Sequence, residues 1–143
     1  MIREIEKKDL SQLIKIWNEY YDLLTSSKTK HTIDSINKWF ESRRGGGFEY
    51  FGYFNKDKLT GFVIIENRLN IIWLKFIAVE KTKKGKGIAS KLIKYIISIH
   101  KNKIIKTEVL EENKTVLKFF EKNKFQIEKY DENEKQFILK HIF

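Results

Sequence analysis

Ile71-Ile72-Trp73-Leu74-Lys75-Phe76-Ile77-Ala78-Val79 leads, four residues later, into Lys84-Gly85-Lys86-Gly87-Ile88-Ala89, and an apolar-periodic stretch then runs to His100. The first segment has the length and apolar density of a strand buried on both faces. The second is a glycine-rich turn, and the stretch from Gly87 to Lys101 is predicted to be a helix whose polar stripe is only Lys91, Lys94, Ser98 and Lys101. Strand, glycine turn and helix start together aim backbone N–H groups at an anion. The first turn of a helix has N–H groups without internal partners, and the helix dipole adds partial positive charge there. A phosphate answers both, and Gly85 and Gly87 carry no Cβ to hold it off.

Downstream, Ile104 to Leu110 reads as a strand. Asn113 is placed to cap a helix carrying Val116, Leu117 and Phe120. Phe125 to Tyr130 and Gln136 to Ile142 flank Asp131-Glu132-Asn133-Glu134 as a last pair of strands. Upstream, Phe48 to Asn55 and Leu59 to Arg68 form a predicted hairpin around Asn55-Lys56-Asp57-Lys58. Gly45-Gly46-Gly47 is a flexible break before it. Ile33, Ile36 and Phe40 give a short helix ending near Arg43. Leu10, Leu13, Ile14, Trp17, Tyr20, Tyr21 and Leu24 keep helical spacing, with Asp9 as the expected N-cap and Gln12 at the capping-box position. Thr25 to Thr32 is polar and reads as a loop, and Ile2 to Ile5 as a first strand. The order is strand, two helices, three strands, helix, strand, helix, two strands, an α/β (α+β) chain with a mixed sheet covered by helices.

The length of 143 residues predicts a single domain over residues 1–143. A hydrophobic fraction of 41%, with 11 Phe, 6 Tyr and 3 Trp, argues for a packed globule despite 34% charged residues. No apolar run reaches the roughly 18–20 residues of a membrane helix, and the N-terminus lacks the apolar core of a signal peptide. The expectation is a soluble, cytoplasmic protein with no membrane association. Without cysteine there is no disulfide, thiolate nucleophile or cysteine metal site. His31, His100 and His141 have no paired metal-ligand spacing, so no metal is expected. The net charge of +10 fits a polyanionic partner, either nucleic acid or a phosphorylated cofactor.

Two motifs carry a resemblance to the GNAT superfamily of N-acetyltransferases. The family's cofactor motif is Arg or Gln, two residues, Gly, one residue, then Gly or Ala. Here it reads Lys84, Gly85-Lys86, Gly87, Ile88, Ala89, with lysine at the first position. The second runs Thr107-Glu108-Val109-Leu110-Glu111-Glu112-Asn113, then Val116, Phe120 and Lys124-Phe125. It keeps the family's spacing with three changed identities. The resemblance implies the GNAT fold, a mostly antiparallel twisted sheet of about seven strands flanked by four helices. It implies acetyl-CoA or another acyl-CoA as co-substrate. It also implies that the strands Ile71–Val79 and Ile104–Leu110 splay apart, with the pantetheine arm between them on the backbone of Ile77 and Val79. The diphosphate then sits on the amides of Gly85, Lys86, Gly87, Ile88 and Ala89, with Lys84 beside them and Asn113 and Phe120 along the arm. The lysines at 81, 83, 84 and 86 are candidates for the ribose phosphate.

The implied reaction is attack of a primary amine on a thioester. An amine of pKa ~10.4 is protonated at neutral pH and needs a base. Glu108 stands at the position that serves as base in some members, and Glu80 is the second choice. The backbone N–H of Val79 is the candidate oxyanion donor. Phe120 departs from the usual tyrosine, which acts as a general acid toward sulfur. Lys81 replaces a common proline, and Lys124 a common glycine whose backbone can need positive φ. Acceptor recognition is expected from the first two helices, the 25–32 loop and the glycine triplet, with Trp17, Tyr20, Tyr21 and Trp39 as lining candidates. The acceptor is an amine-bearing small molecule or protein. Two alternatives stay open: a non-catalytic acyl-CoA-binding regulatory module of the same fold, motivated by Phe120, and a nucleic-acid-binding basic protein. The last strand, Gln136 to Ile142, is a candidate for pairing in a homodimer.

Overall fold

The computed structural model describes residues 1–24, 28–43 and 45–142. Seven strands, β1 (Ile2–Glu4), β2 (Phe48–Asn55), β3 (Lys58–Arg68), β4 (Ile71–Val79), β5 (Ile104–Leu110), β6 (Phe125–Asp131) and β7 (Gln136–His141), form one sheet in the order β1-β2-β3-β4-β5-β7-β6. Every neighbouring pair is antiparallel except β4 and β5. The four main helices are α1 (Leu10–Glu19), α3 (Ile33–Arg43), α4 (Ile88–Ile99) and α5 (Lys114–Lys122), and α2 (Tyr21–Leu24) is a single turn. This is the GNAT-like fold that the motifs imply.

The apolar runs of β3 and β4 are explained by two cores, one on each face of the sheet. Val63, Ile65, Ile72 and Leu74 pack with Leu92, Ile93 and Ile96 of α4. Phe62, Ile64 and Ala78 pack with Leu13, Ile16 and Trp17 of α1 and with Ile36 and Phe40 of α3. Phe62, Val63, Ile64 and Ile65 of β3 alternate between the two cores, so simple polar alternation is lost. Trp17 is 2% exposed and belongs to the second core, with Trp39 packed beside it; neither lines the cleft described below.

The N-terminal segment departs from the expected pattern. Asp9 does not cap α1. It has helical backbone angles, and its carboxylate accepts the Glu6 amide at 2.8 Å and the Arg3 guanidinium at 3.0 and 3.2 Å. The capping box lies one turn earlier, between Glu6 and Asp9 of the 3-10 turn Lys7–Asp9. Gln12 instead ties α1 to the β2–β3 hairpin, donating to Asp57 C=O at 3.2 Å and accepting from Leu59 N–H at 2.9 Å. Burial raises the pKa of Asp9, but the Arg3 hydrogen bonds and the Glu6 amide outweigh it and hold the carboxyl below its ordinary value. A depressed folded pKa contributes stability that is complete above the unfolded value of ~3.9 and is lost as pH falls through the folded one. Asp9→Asn is expected to cost about 2 kcal/mol at neutral pH. It should also flatten the acid limb of a plot of melting temperature against pH; an unchanged limb would show that Asp9 does not carry it.

α1 does not run on to Leu24. Tyr20 leaves the helix at φ −129° and ψ 14°, and its carbonyl starts the new turn α2 by accepting from Leu23 at 2.8 Å and Leu24 at 3.1 Å. Of the expected 25–32 loop, residues 25–27 lie outside the described residues. The glycine triplet is a turn docked on β3: Asn67 N–H donates to Gly47 C=O at 2.8 Å, and a Cβ at Gly47 would come within 2.7 Å of the Asn67 carbonyl oxygen. β7 lies between β5 and β6, so the last strand offers no free edge for pairing with a second copy. Lys124 does adopt positive φ, at 70°. That conformation costs a non-glycine residue about 1–2 kcal/mol, against roughly 0.5–1 kcal/mol of extra chain entropy for glycine. Lys124→Gly is therefore expected to stabilise the protein by about 0.5–1 kcal/mol in a denaturant titration; destabilisation would refute the strain argument.

Candidate active site

The cleft begins where β4 and β5 stop pairing. Their parallel ladder runs from Ile71 opposite Ile104 to Leu74 opposite Thr107 and ends there. On the other side of β4 the register against β3 slips at the same point: Leu74 faces Ile65 and Phe76 faces Ile64, which leaves Lys75 without a partner. A bulge bends its strand and increases the local twist, so β4 turns away from β5 into a V. The Thr107 hydroxyl closes the vertex by donating to Leu74 C=O at 2.8 Å.

Beyond the bulge the free edge of β4 faces the gap. Glu80 N–H donates to Thr60 C=O at 2.8 Å, and Val79 lies opposite Gly61. The alternation of an antiparallel ladder then turns the main-chain groups of Val79 and Ile77 away from β3. The Tyr20 hydroxyl reaches the Val79 carbonyl from that side at 2.7 Å. Burial, with the Glu19 charge adding to it, raises the pKa of Tyr20 and keeps the phenol protonated as a donor.

At the open end of the V lies the glycine turn. Gly85 and Gly87 have φ of 80° and 76°, and a Cβ at either would meet no protein atom within 4 Å. The first helical bond of α4, Lys91 N–H to Gly87 C=O at 3.0 Å, leaves the Ile88, Ala89 and Ser90 amides ahead of it without an intrahelical partner. Among the described residues, the Gly85, Lys86 and Gly87 amides donate to no backbone carbonyl. Ile77, Val79, Lys84, Gly85, Gly87, Ile88, Ala89 and Asn113 all line a cavity of about 440 Å³ here. Lys86 is exposed and lines neither cavity.

A second cavity, of about 410 Å³, occupies the vertex and shares Leu23, Leu24, Ile77, Asn113 and Val116 with the first. Glu108 and Phe120 line it, with Lys75, Asp131 and Glu134. Glu108 accepts from the Gln136 side-chain amide and lies 3.7 Å from Lys75 Nζ. Phe120 is 1% exposed and stacks edge-on to Phe119 and Phe125. Glu80 lies outside both cavities, bonded to Thr82 at 3.1 Å and 3.8 Å from Lys58 Nζ. The glycine triplet also lines neither.

A family model described as the Acetyltransferase (GNAT) family matches residues 10–125. The chain belongs to the GNAT acetyltransferase family. No curated protein matches it significantly. Among solved structures it is similar to a ribosomal-protein-alanine N-acetyltransferase from Brucella melitensis, with TM-score 0.85, 17% identity, and 100% and 99% of the two chains covered. An N-acetyltransferase from Staphylococcus aureus Mu50 gives TM-score 0.80 and 22% identity over 98% and 94% of the chains. The PaiA N-acetyltransferase from Thermoplasma acidophilum, in complex with coenzyme A, gives 0.78 and 20% over 100% and 98%. At these identities the likeness is one of GNAT fold.

The cleft of this GNAT chain contains residues that pattern reading passed over. Leu23 and Leu24 roof both cavities because the chain breaks at Tyr20. Ser90, Thr115, Phe119, Lys122 and Asn123 line the glycine-turn cavity. The helical spacing from Val116 to Phe119 and Asn123 was the available signal for the α5 contribution. The Lys81 amide, where the family often has proline, donates to Glu19 at 3.3 Å, a bond that proline cannot make. Among the described residues, no group of three or more His, Asp or Glu side chains could hold a metal, and no helix is long and apolar enough to cross a membrane.

Proposed function

We propose that the protein transfers an acetyl group from acetyl-CoA to a primary amine by direct attack in a ternary complex. The observation that carries the reading is the split between β4 and β5, which joins a lysine-rimmed turn, whose amides have no backbone partner among the described residues, to a cavity holding Glu108. The fit to an acyl-CoA rests on this chain's own groups. A diphosphate would take the amides from Gly85 to Ala89, with Lys84 and Lys122 as counter-charges. The pantetheine arm would pair with the free edge at Ile77 and Val79. The arm would bring a thioester to the vertex; the Thermoplasma neighbour is itself a complex with coenzyme A.

Glu108 is the base that accepts the proton of the acceptor ammonium, directly or through water. A strand amide facing the gap stabilises the carbonyl oxygen as it gains charge. Val79 offers one such amide, and Ile77, which lines both cavities, offers another nearer to Glu108. With no cysteine in the chain, a cysteine-bound acyl intermediate has no site. Phe120 cannot donate a proton to sulfur, but a thiol of pKa ~8.5 is already a fair leaving group.

The test is thiol release from acetyl-CoA over a panel of amines and peptides, run with Phe120→Tyr in parallel. Acceptor-dependent thiol release by the unmodified protein is the expected result. Phe120 also favours a second reading, an acyl-CoA-binding regulatory module. Tight acetyl-CoA binding with no turnover over the whole panel, and turnover regained in Phe120→Tyr, would establish that reading instead.

A further inference from the structure

We infer that Lys75 is a self-acylation site, the first amine to accept an acyl group in this cleft. The inference rests on the acyl-CoA reading above. Lys75 is the residue left unpaired by the β4 bulge, at the vertex where β4 and β5 part. Its side chain is 25% exposed and its Nζ lies 3.7 Å from Glu108 Oε1. Among the described residues it is the one Lys or Arg side chain lining the vertex cavity, whereas Lys83, Lys84 and Lys122 line the glycine-turn end.

An acceptor for this reaction has to set a primary amine beside the base, at the closed end of the V, within reach of a thioester carried along Ile77. Lys75 meets the first two requirements before any acceptor binds. It is one residue from Phe76 and two from Ile77 on the same strand. An amine held in this way competes at high effective concentration with any free one.

The step balances with acyl-CoA as its co-reactant. A bond forms between Lys75 Nζ and the acyl carbon, and the thioester carbon–sulfur bond breaks. The ammonium sheds two protons: Glu108 passes one to solvent, and the other leaves with the thiol. The product amide is neutral. Glu108 then loses the Lys75 ammonium, and Glu108, Asp131 and Glu134 face a cavity with no lining cation among the described residues. The modified cleft is more attractive to a cationic acceptor than the unmodified one.

The experiment incubates the full chain with acetyl-CoA labelled in its acetyl group and maps the label by peptide mass spectrometry. Acetyl-CoA affinity is measured calorimetrically on the same samples. Lys75 is expected to label at least ~10-fold faster than the exposed lysines, at a rate independent of protein concentration, as an intramolecular step requires. Glu108→Gln should slow Lys75 labelling by ~100-fold while leaving the exposed lysines unchanged. Lys75→Arg should remove the fast site without a new one appearing. Labelling of Lys75 no faster than the exposed lysines, with acetyl-CoA bound, overturns this inference alone. A rate that rises with protein concentration does the same. Absence of acetyl-CoA binding overturns both this inference and the function it rests on.

Discussion

Gly87→Val is expected to raise the acetyl-CoA dissociation constant by at least ~100-fold while leaving a folded protein. Gly87 is the N-cap of α4 and sits at φ 76°. A Cβ there meets no protein atom within 4 Å, so the fold gives the side chain room. That room is the open groove itself, in which valine would stand between the free amides and a diphosphate. Displacing the ligand from two charge-assisted N–H bonds, each worth about 1.5–3 kcal/mol, accounts for the effect. The folding cost is separate. It is about 1–2 kcal/mol for a branched residue in left-handed backbone, and a thermal melt would register it as a modest shift. Gly87→Ala carries much of the backbone strain with less bulk. Alanine should therefore track valine in stability but fall well short of it in affinity. If calorimetry gave equal affinities for Gly87, alanine and valine, the amides would not be gripping the diphosphate, and the cofactor site would have to be sought elsewhere.

The contrast between Gly87 and Lys75 shows what was legible in the chain. The glycine turn could be read because its chemistry is local: two glycines between a strand and a helix have few other uses, and the Asn113 cap is equally local. The bulge at Lys75 could not be read. In a half-buried strand, a slip of one residue shows as a break in alternation, but β4 is covered on both faces and its apolar run hides the slip. The two features that make the V, the slip and the end of pairing at Thr107, exist only once β3 and β5 flank β4. Tyr20 lines the cleft as its sequence position suggests, but the end of α1 before it is hidden for a related reason. The spacing of Tyr20 continues the apolar stripe of α1, and Tyr20, Tyr21 and Leu24 do pack against the second core, although the helix itself ends at Glu19. Tyr20 also serves the cleft, which it lines and where its hydroxyl reaches the Val79 carbonyl. Asp9 followed the local rule for a cap and lost to a tertiary partner, Arg3 of β1. The position of β7 between β5 and β6 is a matter of topology, which periodicity does not encode.

Glu108→Gln should lower kcat/KM for any accepted amine by about 10²–10⁴-fold, the range associated with a positioned general base. Acetyl-CoA affinity should hardly change, because Glu108 lines only the vertex cavity. The substitution keeps the shape of the residue and an oxygen that can accept from Gln136, so the packing of β5 against β7 is preserved. What it removes is the negative charge that faces Lys75 and the lone pair that takes the acceptor proton. Two roles are thus lost together, and a second variant separates them. Lys75→Met leaves Glu108 its carboxylate but takes away the ammonium at 3.7 Å. If Glu108 matters only as the partner that holds Lys75 in place, both variants should impair turnover to a similar degree. If Glu108 is the base, Lys75→Met should retain most of the amine-dependent rate and only Glu108→Gln should lose it. The pH profile supplies a further distinction. Without the base, the remaining rate should climb with pH, since the fraction of acceptor already deprotonated in solution grows tenfold per unit below a pKa of ~10.4. Turnover in Glu108→Gln within a few-fold of the unmodified protein, with an unaltered profile, would leave Glu108 as a structural ion-pair partner and assign proton removal to water alone.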